Sequence, residues 1–174
     1  MKHFKQDLKV FLTSGGGSVT FKRKVMAFLS PEVRLLFYYR LYSELYILGF
    51  KNISYFLYCR AKRIFASDIH PCCKIGAGFR LGHHMNIVIG PDAIIGKNVY
   101  IFNGVTLGKR YTNTKDGMPV IGDNVVIGTG AKLLGSIKIG NNVKIGANSV
   151  VLHSFPDNCN LVGAPANTIE NKLK

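Results

Sequence analysis

Residues 121–151 read IGDNVVIGTGAKLLGSIKIGNNVKIGANSVV, and an aliphatic residue recurs there at every sixth position: Ile121, Ile127, Leu133, Ile139, Ile145 and Val151. A period of six does not hold one face of a 3.6-residue helix, but it is a whole multiple of the strand period of two. It fits short strands separated by corners, with glycine after the anchor and asparagine nearby to take the backbone bend. Units of this length bury their apolar side only by stacking coil on coil, as in a parallel β-helix.

The same period runs through the preceding chain in two further blocks, Ile69, Ile75, Leu81 and Ile87, then Ile89, Ile95, Ile101 and Leu107. With about 18 residues per three-sided coil, residues 68–164 supply about five coils. Two interruptions break the phase. Ile87 and Ile89 are two apart instead of six, directly after the paired His83 and His84 of GFRLGHHMNIVIG (78–90). Residues 108–120, GKRYTNTKDGMPV, contain no anchor and read as a loop thrown out from the coil. Insertions on a solenoid gather on its binding face, so the histidines and the loop are candidates for one site.

Residues 1–67 have a different character. In SPEVRLLFYYRLYSELYILG, Ser30 stands as an N-cap before Pro31, apolar Leu35, Leu36, Tyr39, Leu41, Tyr42 and Leu45 share a helical face, and Gly49 is a stop. A second helix is expected from about 53 to 65. The chain thus divides into a basic helical region (1–67), the repeat region (68–164) and a tail (165–174).

Lys and Arg number 23 against 9 Asp and Glu, giving +14, and residues 1–67 carry 12 of the bases and 3 of the acids. Such a balance favours anionic partners: a phosphorylated co-substrate, an acidic glycan or a membrane surface. Nothing resembling a nucleic-acid-binding module accompanies it, so nucleic acid is not an expected partner. The basic aromatic helices read either as a packed cap with a solvated basic face or as a peripheral contact with the inner face of an anionic membrane. Arg34, Arg40, Glu44, Lys51 and Arg60 interrupt every apolar run long enough to span a bilayer. Residues 1–17 lack the continuous apolar core of a signal peptide, and a cytoplasmic location is expected. Cys59, Cys72, Cys73 and Cys159 have no zinc-type spacing and read as reduced structural thiols; no metal is expected. His70 and His153 read as structural.

The tract DIHPCCKIGAGFRLGHHMNIVIGPDAIIGKNVYIFNGVTLG (68–108), followed after the loop by 121–152, resembles the serine acetyltransferase branch of the hexapeptide-repeat acyltransferases. It is also similar to the short relatives of that branch serving capsule, colanic acid and lipopolysaccharide synthesis, over about residues 54–168. The resemblance implies a left-handed parallel β-helix, acetyl-CoA as co-substrate and a homotrimer with active sites between subunits. It places the catalytic histidine on His83, in the LxH motif, and its orienting carboxylate on Asp68, in DIHP. It places Thr129 and Ala147 along the pantetheine arm, Lys144 near the phosphates and Gly108 at the loop edge.

An imidazole suits the chemistry, because an alcohol attacking a thioester must lose its proton near neutral pH. A carboxylate on the other ring nitrogen fixes the tautomer and stabilises the imidazolium. Serine acetyltransferases close the loop with an Arg-His-Pro element that engages the amino-acid acceptor; this chain has Gly117, Met118 and Pro119. The expectation is therefore an O-acetyltransferase acting on a sugar hydroxyl of a surface polysaccharide or its precursor. Serine O-acetylation is the alternative, N-acetylation of an amino sugar a third, and a non-catalytic hexapeptide scaffold the reading outside enzymes.

Overall fold

The computed structural model describes residues 2–14, 16, 18–111 and 116–169. Residues 112–115 of the expected loop and 170–174 of the expected tail lie outside the described residues.

From Asp68 onward the chain forms a left-handed parallel β-helix whose three faces are built from strands mostly two residues long. The hexad anchors stack in register. Ile69, Ile89, Leu107, Leu133 and Val151 form one column, Ile75, Ile95, Ile121 and Ile139 the second, and Leu81, Ile101, Ile127, Ile145 and Leu161 the third. All are buried, so the repeat region is one continuous aliphatic core, and each strand passes its backbone hydrogen bonds to the coil above and below.

The corners are set by asparagine. Asn98, Asn124, Asn142 and Asn158 all have φ between 56° and 61°, a left-handed conformation that Asn tolerates better than other side-chain-bearing residues. Their amides form a ladder up that edge, each Nδ2 donating to the next Oδ1 at 3.0–3.1 Å. Residues 166–169, expected as tail, instead pair antiparallel with Asn160–Gly163, which closes the last coil. The edge strand thereby acquires a partner instead of an open row of peptide groups.

One buried group has no partner among the described residues. The Ser149 hydroxyl is fully enclosed in the column occupied one coil earlier by Ala131. Removing an unsatisfied buried hydroxyl relieves its desolvation cost, so Ser149→Ala is expected to raise stability by about 1 kcal/mol, read as a higher urea midpoint at unchanged m.

Among the described residues four helices precede the coil, α1 (Lys2–Thr13), α2 (Phe21–Leu29), α3 (Pro31–Ile47) and α4 (Lys51–Phe65); α1, α3 and α4 pack on the first coil and α2 packs on α1 and α3. Along α3 the chain buries Val33, Leu35, Leu36, Tyr39 and Tyr42, whereas Leu41 and Leu45 of the expected face are half-buried. Arg40 is buried with them, because Asp7 of α1 and the Ile75 and Gly76 carbonyls of the first coil satisfy its guanidinium. Ser30 occupies the N-cap position, but its hydroxyl donates to Glu32 Oε2 at 2.5 Å instead of accepting a backbone N–H. No helix among the described residues is long and apolar enough to cross a membrane.

Three carboxyl groups sit below their ordinary range. Burial pushes Glu32 up, but hydrogen bonds from Ser30, its own backbone N–H and His84 outweigh it. The Tyr111 and Arg110 backbone N–H groups lower Asp116, and the Asn141 backbone and side-chain N–H groups lower Asp157. A carboxyl depressed in the folded state binds protons more readily when unfolded, so its stabilisation is complete above the unfolded value and fades as pH falls through the folded one. The melting temperature is therefore expected to hold down to about pH 4 and to fall below it, with a shallower fall in Asp157→Asn. A melting temperature that rises below pH 4 contradicts this.

Candidate active site

Three of the corners joining the third face to the first contain four residues each: 102–105, 128–131 and 146–149. The equivalent corner of the first coil, between Leu81 and Val88, runs from 82 to 87 and holds two more. The phase slip in the sequence is thus a bulge in one corner of the solenoid. His83 and His84 stand in that bulge.

The bulge is pinned from below. Asn86 N–H donates to the Ala66 carbonyl at 2.8 Å, and Asn86 turns the chain with φ 57°. The Ser67 hydroxyl donates to the His84 carbonyl and accepts the Ile87 N–H at 3.0 Å. From above, Gly104 N–H donates to the Met85 carbonyl at 3.1 Å. Gly82 passes beneath the next coil so closely that a Cβ there would lie 2.7 Å from Tyr100 Oη and the Phe102 ring. Those two rings pack with centroids 4.5 Å apart, and the Arg80 guanidinium lies 3.6 Å over Tyr100. A narrow backbone passage and an aromatic wall thus precede His83.

The two histidines have different surroundings. His83 is exposed, and its ring has no hydrogen bond or ion pair among the described residues. His84 is half-buried, with Nδ1 3.2 Å from Glu32 Oε1 and its ring edge-on to Phe65. Glu32, held ionised, can only accept, so His84 Nδ1–H donates.

Asp68 lies in the same coil as His83, its N–H donating to the Ile87 carbonyl at the end of the bulge. Its carboxylate does not hydrogen-bond His83. One oxygen accepts the Tyr58 hydroxyl and the other pairs with Lys62 Nζ at 2.6 Å. Tyr58 and Lys62 are four apart on α4 and so share the face turned to the coil. Burial first, and Asp68 second, push the Tyr58 phenol far above its ordinary value, so it remains a donor. A cleft of about 220 Å³ opens beside this pair, lined by Lys62, Ser67, Asp68, Asn86 and Val88. In the sequence Tyr58 and Lys62 are legible only as residues of the second helix, four apart; that both meet Asp68 is visible only in the structure.

The other expected site residues fall on two edges. Thr129 and Ala147 are exposed at successive corners of the column that begins with His83, and Asn148 N–H donates to the Thr129 carbonyl at 2.8 Å. Lys144 is exposed on the strand leading into the Ala147 corner. Gly108 lies on a different edge, at the root of the loop, where its carbonyl accepts Gly135 N–H at 2.9 Å. The loop's other root is fixed as well. Asp116 accepts the Tyr111 N–H at 2.8 Å, Gly117 N–H donates to Ser136 Oγ, and Met118 lies against Gly90, where a Cβ would stand 2.4 Å from its methyl group.

His70, read as structural, is wedged between the Tyr55 and Tyr58 rings while Nδ1 accepts the Cys72 N–H at 3.1 Å. Burial lowers its pKa. The Cys73 thiol is buried under α3 and pushed up to about 12 by burial, which removes it as a nucleophile at neutral pH.

Two family models match the chain, bacterial transferase hexapeptide (six repeats) over residues 118–153 and hexapeptide repeat of succinyl-transferase over 86–111. A curated serine acetyltransferase from Helicobacter pylori is 43% identical over 141 residues, covering 81% of this chain and 82% of that one. Another curated serine acetyltransferase is longer, and the chain spans about half of it, 52%. Among solved structures, the chain is similar to a serine acetyltransferase from Neisseria gonorrhoeae in complex with serine, at TM-score 0.87 and 35% identity, covering 97% of this chain and 68% of that one. It is equally similar to a serine acetyltransferase from Brucella abortus in complex with coenzyme A, at TM-score 0.86 and 35% identity over 97% and 66%.

These relatives correct one expectation. The polysaccharide hydroxyl inferred from Gly117, Met118 and Pro119 is overturned, because relatives 43–50% identical to this chain, and solved structures similar to it, are serine acetyltransferases. Gly117 and Met118 are two positions in a chain whose likeness to a solved serine acetyltransferase covers 97% of its length. The coil, its enlarged corner and the helical cap, which make up most of the molecule, carry the likeness.

Proposed function

The chain belongs to the serine acetyltransferases of the hexapeptide-repeat acyltransferase family, and from that premise we propose that it transfers acetyl from acetyl-CoA to the hydroxyl of L-serine. The observation that carries this reading is the enlarged first-coil corner, which holds His83, without a side-chain partner among the described residues, and whose Asn86 lines the Asp68 cleft, in a chain 43% identical to a named serine acetyltransferase.

In the proposed reaction His83 removes the proton from the serine hydroxyl as its oxygen attacks the thioester carbonyl. The tetrahedral intermediate collapses with cleavage of the C–S bond, and the imidazolium returns the proton to the departing CoA thiolate. The imidazole ends neutral, ready for another cycle. Asp68 supplies the negative charge that favours the imidazolium, Tyr58 steadying one oxygen while the exposed Lys62 yields the other. The cradle for CoA is the column of corners above His83. Coils stack at about 4.8 Å, so Thr129 stands about 10 Å and Ala147 about 14 Å along the axis from the His83 coil, a run suited to a linear pantetheine arm. Small residues keep this track open: at Gly128 a Cβ would stand 2.6 Å from the Ala147 nitrogen. Lys144 lies where the phosphates would emerge. The reading also includes a homotrimer, with a neighbouring subunit completing the groove.

The test is CoA release by the purified protein given acetyl-CoA and L-serine, with mass spectrometry of the product. O-acetylserine is expected. Failure to release CoA with serine, at protein concentrations where bound CoA is detected, rejects serine as the acceptor.

A further inference from the structure

The Glu32–His84 contact joins two parts of the molecule that sequence keeps 52 residues apart: the first turn of α3 and the bulge that carries His83. It is not a loose surface pair, since both side chains are only 20% exposed. Each partner is fixed further. Glu32 Oε2 accepts the Ser30 hydroxyl at 2.5 Å, the His84 ring meets Phe65 at 6.1 Å between centroids, and the His84 carbonyl accepts the Ser67 hydroxyl. The neighbouring His83 has no side-chain partner among the described residues, so its position depends on the backbone on either side. On one side stands Gly82, confined by the Tyr100 and Phe102 rings; on the other stands His84.

We propose that Glu32 and His84 form a positioning clamp: helix α3, through Glu32, holds the corner in the conformation that aims His83 at the reacting hydroxyl. The proposal rests on His83 being the base, and it makes the helical cap part of the catalytic apparatus. The clamp acts through geometry and touches neither substrate. Its loss lets the bulge relax, and a displacement near 1 Å at a catalytic group costs up to about a hundredfold in rate. Because acetyl-CoA is held along higher coils, its KM is left almost unchanged.

The experiment measures kcat, KM for acetyl-CoA and the melting temperature for Glu32→Ala, His84→Ala, the double variant, and the conservative Glu32→Gln and His84→Asn. Gln keeps an acceptor facing His84, and Asn keeps a donor near the place of Nδ1. Expected are an about tenfold drop in kcat for either alanine variant and KM for acetyl-CoA within about twofold. The double variant should be no worse than the poorer single one, and both conservative variants should recover most of the loss. A structural role alone would lower the melting temperature without this split between kcat and KM. If His83→Ala is inactive while the alanine variants turn over like the wild type, the clamp is refuted and the base stands. If His83→Ala keeps wild-type activity, the base falls and the clamp with it. Should an alanine variant fail to fold, unrescued kcat in the folded Gln and Asn variants still overturns the proposal.

Discussion

Replacing His83 by alanine is expected to lower kcat/KM for acetyl transfer by about 10²- to 10⁴-fold, the range general-base catalysis contributes, while KM for acetyl-CoA and the assembly stay as in the wild type. The ring is exposed and unpartnered among the described residues, so its removal leaves no cavity and no orphaned polar group. That separates it from its neighbour. His84 is packed on Phe65 and bonded to Glu32, so its replacement costs much less activity and more stability. Steady-state kinetics and melting curves for the two variants, side by side, check both halves. Equal losses of activity at the two positions would argue against assigning the base to His83 alone.

The largest expected effect on stability belongs to Asp7. Its side chain is fully buried, Arg40 is 7% exposed, and the two meet at 2.8 Å. Asp7 also accepts the Phe79 N–H at 2.9 Å, and Arg40 donates to the Ile75 and Gly76 carbonyls. One ion pair therefore ties α1 and α3 to the second strand of the first coil and the corner after it. Removing one member of a buried pair strands the other charge, and Asp7→Ala is expected to destabilise the fold by about 3–5 kcal/mol. A solvent-exposed pair would give about 0–1 kcal/mol. Replacing both, as in Asp7→Leu with Arg40→Met, should recover much of the loss, because no charge is then left in the interior. Urea unfolding of the single and double variants measures this; a single-variant loss under 1 kcal/mol would mean that water reaches the pair.

Different features were legible at different distances along the chain. The hexad anchors announced the coil because their spacing is read from neighbours six residues away, although they stack on anchors one coil further along, and every anchor named from sequence is buried in the structure. The interruption at Ile87–Ile89 located the enlarged corner for the same reason, a local change of phase having no other way to be absorbed. Helix α3 was readable from Ser30, Pro31, Gly49 and its apolar spacing, whereas Arg40 ran against its burial rule because its partners lie 33 to 36 positions away. Tyr58 and Lys62 on Asp68 were likewise hidden until α4 was seen to dock on the first strand. The acceptor was misjudged from two loop residues, Gly117 and Met118, whose backbone and side chain turn out to face Ser136 and Gly90.

By itself, then, the sequence determined the repeating coil, its stacking columns and the corner where the imidazoles stand, since periodicity is a local property and the core is its direct sum. Only the tertiary structure decided how the two histidines differ. Glu32, Phe65 and Ser67 reach one of them across 17 to 52 residues of chain and leave the other free, a distinction made by packing between elements and carried by no spacing in the sequence.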